Sequence, residues 1–152
     1  MSVTWNPHLV AVGEKITKTV RLTREDIVVF AKMSHDANPL HRDTQAAQRA
    51  HFGEIIASGQ HTAAVLMGFM ASHFSREADG VRREMLCLNT NFAFKAPVFA
   101  EQDLDVVWVV QTTQWNGKLG GVLVHLDGQA FAVAGKPAVI ARATILVKEV
   151  QG

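Results

Sequence analysis

The side chains best suited to acid–base chemistry in this 152-residue chain fall in one stretch, Ser34-His35-Asp36-Ala37-Asn38-Pro39-Leu40-His41-Arg42. Asp36 and His41 are five positions apart, a spacing that an unbroken helix would place on different faces. Pro39 forbids such a helix and biases Asn38 towards an extended backbone, so the segment must bend. A bend can bring a carboxylate, which only accepts hydrogen bonds, and an imidazole, which can donate or accept, to one point with a water between them. Asp, Asn and Pro also build ordinary Asx turns with no catalytic purpose, and the residue types alone leave both readings open.

The flanking sequence has to position this loop. Glu14 to Leu22 reads as a short strand, with Ile16, Val20 and Leu22 in one phase. Thr23 is a helix N-cap followed by Glu25 and Asp26 in the first turn, and Ile27, Phe30 and Ala31 recur at helical spacing, so this helix delivers the chain to Asp36. Asp43 or Thr44 caps a short helix through Ala50. From Gln60 to about Arg76 the apolar residues run nearly all the way round, the pattern of a buried helix. Its start, Ser58-Gly59, presents free backbone N–H groups and the positive end of the helix dipole. Gly59, without a side chain, would let a carbonyl oxygen approach closely. A plain helix start with Ser58 as N-cap explains the same two residues.

Strands follow. Met85 to Lys95 is one, with Leu86, Leu88, Thr90, Phe92 and Phe94 on one face. Leu104 to Thr113 is apolar on both faces and belongs inside the sheet. Asn116-Gly117 marks a tight hairpin. Leu119 to Ala134 reads as a long strand interrupted at Asp127-Gly128 by a turn or a bulge, the bulge being favoured because Gly135-Lys136-Pro137 already supplies the turn before the last strand, and Ala138 to Val150 closes the sheet. One strand, then helices, then antiparallel strands is an α+β order, without the alternation of a nucleotide-binding fold.

The string Asp36-Ala37-Asn38-Pro39-Leu40-His41 resembles the signature of the MaoC-like, or R-specific, enoyl-CoA hydratases. Further landmarks come in that family's order: Gly53-Glu54-Ile55-Ile56-Ala57-Ser58-Gly59, Asn91-Phe92-Ala93-Phe94-Lys95-Ala96-Pro97-Val98, and Ala143-Thr144-Ile145-Leu146-Val147. The resemblance covers the chain from about Glu14 onward. It implies a single hotdog domain, an antiparallel sheet wrapped around a long central helix. It also implies reversible hydration of a trans-2-enoyl thioester to an R-3-hydroxyacyl thioester. By that resemblance Asp36 and His41 activate the water and the Gly59 N–H receives the thioester oxygen. Coenzyme A is then the substrate's carrier, acyl carrier protein being the alternative, and no bound cofactor is needed. His35 stands where the family pattern usually has glycine. That departure keeps two other readings open: a hotdog thioesterase, and a catalytically silent acyl-thioester-binding subunit.

His35, Asn38 and His61 are candidate pocket-lining residues. Asn38 is expected to brace the loop through its side chain, and His61 to sit near the pocket mouth. Arg42, Arg82, Arg83 and Lys95 are candidates for coenzyme A phosphate contacts. Seven histidines invite a metal reading through His35, Asp36 and His41 with His51 or His61. They lack the spacing of a known metal motif, and no metal is expected. Cys87, the only cysteine, is read as a quiet buried thiol.

Fifteen basic and fourteen acidic residues leave a formal charge of +1, without the basic field that nucleic acid demands. A lone cysteine, the lack of signal-peptide order in residues 1–7 and the lack of a membrane-spanning stretch predict a cytoplasmic protein with no membrane insertion. Apolar residues make up 48% of the chain, more than one small subunit comfortably covers, which predicts a homodimer or higher homo-oligomer.

Overall fold

A computed structural model describes residues 5–152; the part of the N-terminal reading that falls on residues 1–4 lies outside them. The order of elements is β1 (Lys15–Leu22), α1 (Arg24–Met33), a 3-10 turn (Pro39–His41), α2 (Thr44–Arg49), α3 (Gly59–His73), β2 (Arg83–Phe94), β3 (Gln102–Asn116), β4 (Gly121–Val133) and β5 (Lys136–Glu149). The five strands form one antiparallel sheet in the order β1-β3-β4-β5-β2, and the sheet curls around α3 in the hotdog arrangement.

Alternation sets the two faces of the sheet. Val122, Val124, Leu126 and Ala130 of β4 point inward together with Ala141, Ala143, Ile145 and Val147 of β5. They meet Leu66, Met70 and Phe74 from α3 and its C-terminal end, all with 0% exposure. Trp108 of β3 fastens sheet to helix, because its indole N–H donates to the Leu66 carbonyl at 2.8 Å in the buried core. Only one side of α3 is buried in this chain, however. Ala64, Gly68 and Ser72 are exposed, so the all-round apolar pattern overstated the helix's enclosure.

Three local readings are corrected by the strand register. Asp127 and Gly128 pair in regular register with Val109 and Trp108 on one side and Arg142 and Ala141 on the other, so no bulge lies there. Gly128 is needed for a different reason: a Cβ at this position would stand 2.5 Å from the Trp108 ring. The hairpin after Asn116 is longer than a two-residue turn, and Gly120 is the residue that takes positive φ. Finally, β2 is an edge strand whose Leu86, Leu88 and Phe94 are exposed, and Cys87 is exposed with them.

Candidate active site

Asp36 is placed by the way α1 ends. The Asp36 N–H donates to the Ala31 carbonyl and the His35 N–H to the Lys32 carbonyl, the paired bonds of a Schellman motif. Such a motif needs a left-handed residue just past the helix, and His35 fills it at φ 59. The helix itself starts with a reciprocal capping box between Thr23 and Asp26, so both of its ends are fixed.

His41 is placed by Pro39. The proline opens a 3-10 turn at the position where its missing N–H costs nothing, and the Asn38 side chain caps that turn by accepting from the Leu40 N–H at 3.1 Å. His41 ends the turn, 7% exposed. Its Nδ1 lies 2.7 Å from the Ile56 carbonyl, which can only accept, so in the neutral imidazole Nδ1 carries the proton and Nε2 the lone pair. The segment carrying Ile56 is tied back to α1 by an ion pair between Arg24 and Glu54. The Arg24 hydrogen bond also holds the Glu54 carboxyl below the usual carboxylate range.

The two groups face each other. Asp36 Oδ2 lies 3.7 Å from His41 Nε2. Asp36 Oδ1 accepts from the Asn38 N–H at 2.9 Å, and Oδ2 also accepts from the Gln60 side-chain amide at 2.7 Å. Two acceptors at this separation are suited to a species that donates twice, and water is the simplest.

A cavity of about 440 Å³ opens beside the pair, walled by Asn38, His41, Phe52, Gly59, Thr62 and Phe94 among others. Gly59 is the first residue of α3, capped by Ser58, whose hydroxyl accepts from the His61 N–H. Among the described residues the Gly59 N–H has no hydrogen-bond partner. The Phe94 ring lies against Gly59 so closely that a Cβ there would come within 2.9 Å of it. The cavity thus has in its wall an imidazole, the first residue of a helix at its positive end, and apolar side chains.

The sequence-derived candidates fare unevenly. Asp36, His41 and Gly59 come together around one opening, although Asp36 contributes through the gap to His41 and is not part of the cavity wall. Asn38 both lines the cavity and braces the loop. His35 is exposed and does not line it. His61 is not at a pocket mouth: it is 6% exposed, stacked on Phe30 with ring centroids 4.3 Å apart, and its Nδ1 has no hydrogen-bond partner. Burial pushes the His61 imidazole below its ordinary value, Asp26 opposing this and His41 adding to it.

Of the basic candidates, Lys95 lines the cavity. Arg83 cannot meet a phosphate, because its side chain is fully buried and spent on Asp79 and four backbone carbonyls. Cys87, though exposed, has its thiol pushed up by desolvation, which argues against a nucleophile. Among the described residues no three His, Cys, Asp or Glu side chains gather closely enough to hold a metal ion.

Gln60, Phe52 and Phe94 were not singled out from sequence as site residues. Gln60 follows Gly59 directly but lies 24 positions from the carboxylate it touches, and no local pattern encodes that contact.

Comparison with known proteins gives the family and the fold. The MaoC like domain family matches residues 10–140, and the chain belongs to that family of hydratases and dehydratases. It is 25% identical over 130 residues to the (R)-specific enoyl-CoA hydratase of Aeromonas caviae, covering 84% of this chain and 92% of that protein. It is also 25% identical over 137 residues to the mitochondrial 3-hydroxyacyl-[acyl-carrier-protein] dehydratase of Arabidopsis thaliana, covering 82% and 78% respectively. The solved structure of the unliganded R-hydratase PhaJ1 from Pseudomonas aeruginosa superposes with a TM-score of 0.77 at 26% identity, over 94% of this chain and 88% of that one.

Proposed function

We propose that the protein catalyses reversible hydration of a trans-2-enoyl thioester to an (R)-3-hydroxyacyl thioester. The facing of Asp36 Oδ2 and His41 Nε2 across 3.7 Å, beside a cavity that Gly59 also lines, carries this reading. Water held between the two acceptors gives up a proton as its oxygen bonds to C3 of the enoyl chain. The electron pair of the double bond moves towards the thioester carbonyl, and the same acid–base pair returns a proton to C2. Negative charge developing on the thioester oxygen meets the Gly59 N–H, reinforced by the α3 dipole. Every step is proton transfer and conjugate addition, so the reaction asks for no resident metal or redox cofactor.

Coenzyme A is the proposed carrier, with Lys95 at the cavity wall suited to an anionic part of it. The likeness to the acyl-carrier-protein dehydratase makes that carrier the alternative. Purified protein mixed with crotonyl-CoA tests the reaction: the conjugated enoyl absorbance should fall while the thiol stays esterified. Release of free thiol would mean hydrolysis instead, and no change with any enoyl thioester would leave a silent binding subunit.

A homodimer belongs to the same proposal. Strand β2 leaves one backbone edge unpaired along Arg83–Phe94 and exposes Leu86 and Leu88 beside it, a surface suited to a second copy. Light scattering on the purified protein should give twice the monomer mass. A cytoplasmic setting is proposed on the lone thiol; among the described residues no helix is long and apolar enough to cross a membrane.

A further inference from the structure

Asp36 is held by two donors of different kinds. The Asn38 N–H is part of the backbone and is fixed by the proline turn. The second donor, the Gln60 side-chain amide, comes from the first turn of α3, next to the glycine that lines the cavity. Its Nε2 lies 2.7 Å from Oδ2, the same oxygen that faces His41. Without Gln60 the carboxylate would keep only its Oδ1 anchor, and rotation about χ2 could swing Oδ2 away from the imidazole.

From this geometry we infer that Gln60 is a positioning residue of the Asp36–His41 pair. Its amide fixes the plane of the carboxylate and occupies one lone pair of Oδ2, leaving the other directed at the water shared with His41. It also couples the two halves of the site, because the residue that orients the water-activating carboxylate is the chain neighbour of the oxyanion donor. A shift of the α3 start would therefore disturb both together. The inference rests on the hydration reading and deepens it.

The test uses two variants of the full chain. Gln60→Met removes the donor while keeping an unbranched, helix-compatible side chain of similar length. It should lower kcat for crotonyl-CoA by about tenfold to a hundredfold, with KM and the thermal midpoint little changed. Gln60→Glu keeps the shape but, ionised, can only accept, so it repels Asp36; protonated, it donates as the amide does. Its kcat relative to the wild type should therefore climb as the pH is lowered, a response that a packing role would not produce. Wild-type kcat in Gln60→Met, or a flat ratio in Gln60→Glu, would overturn the assignment.

A third measurement separates this inference from the hydration reading. In 15N-labelled protein the Gln60 side-chain amide resonances should move on Asp36→Asn whether or not the wild type turns over. An inactive wild type that shows this movement would fail the hydration reading while leaving the contact standing. Amide resonances indifferent to Asp36→Asn would remove the contact itself.

Discussion

Asp36 Oδ2 and His41 Nε2 stand 3.7 Å apart, too far to bond directly and close enough for one water to reach both. Each partner is held from behind by the backbone, Asp36 through the Asn38 N–H and His41 through the Ile56 carbonyl. The local loop therefore anchors Oδ1 of the carboxylate, while the imidazole is aimed by a segment 15 residues further on. That division of labour explains why the pair can be removed one member at a time.

Asp36→Asn keeps the Oδ1 acceptor but replaces an oxygen of the carboxylate by an amide that cannot take a proton. Hydration should fall by a factor of about 10² to 10⁴ with the fold preserved. His41→Ala should lose activity to a similar extent and also some stability, about 1 to 3 kcal/mol, because the Ile56 carbonyl loses its donor. Crotonyl-CoA hydration and urea unfolding read the two effects separately. Near-full activity in either variant would remove that residue from the chemistry.

His35 carries a side chain where the Schellman motif favours none. Its φ of 59 is a conformation that costs an L-residue about 1 to 2 kcal/mol, while a glycine there would surrender some of that gain through its freer unfolded chain. His35→Gly should therefore stabilise the protein by about 1 kcal/mol in chemical denaturation. A destabilised variant would mean that the exposed imidazole makes a favourable contact outweighing its strain.

Much of this site is legible in the sequence. The proline-bent loop, the Thr23 and Asp43 caps and the Ser58-Gly59 helix start are local signals, written in residues that act on their own backbone. What escaped depends on contacts between distant segments. Asp127-Gly128 reads as a bulge because Gly135-Lys136-Pro137 already supplies the next turn, whereas Gly128 makes room for the ring of Trp108 on the neighbouring strand. Cys87 looked buried because its strand neighbours are apolar, yet β2 lies at the sheet edge, and strand order is not a local property. His61 was placed by sequence distance from Gly59, but helix geometry turns it inward against Phe30. Gln60 carries no local signal either, because the carboxylate it touches lies 24 positions away.

His61 should make the protein sensitive to acid. Buried and lacking a partner for Nδ1, its imidazole titrates below the ordinary 6.5 in the folded state, mainly through desolvation. The unfolded chain therefore binds a proton first as the pH falls. The stability it withholds from the charged form is complete above about 6.5 and is lost as the pH drops towards the lowered folded value. His61→Leu should be at least as stable as the wild type at neutral pH and should lose less between about pH 7 and pH 5. Thermal or urea midpoints across that range measure the difference. Parallel curves for the two proteins would show that His61 does not carry the effect.

Arg83 tests the scaffold apart from the chemistry. Its guanidinium has no exposed side-chain surface and donates to both Asp79 carboxylate oxygens and to the carbonyls of His8, Leu9, Arg76 and Val81. It thereby joins the N-terminal segment, the end of α3 and the start of β2. The Arg83 hydrogen bond also holds the Asp79 carboxyl well below the usual carboxylate range. Arg83→Met keeps most of the apolar stem but leaves four carbonyls and a carboxylate without their donor. Because Asp79 is partly exposed, the cost lies in the carbonyls, about 1 to 3 kcal/mol for each that water cannot reach. Urea unfolding should show a loss of that order at neutral pH. Because the guanidinium touches no wall of the site, the folded fraction of the variant should keep its KM for crotonyl-CoA. A loss below about 1 kcal/mol would mean that water replaces the guanidinium at little cost, and a raised KM would mean that the start of β2 transmits the damage to Phe94.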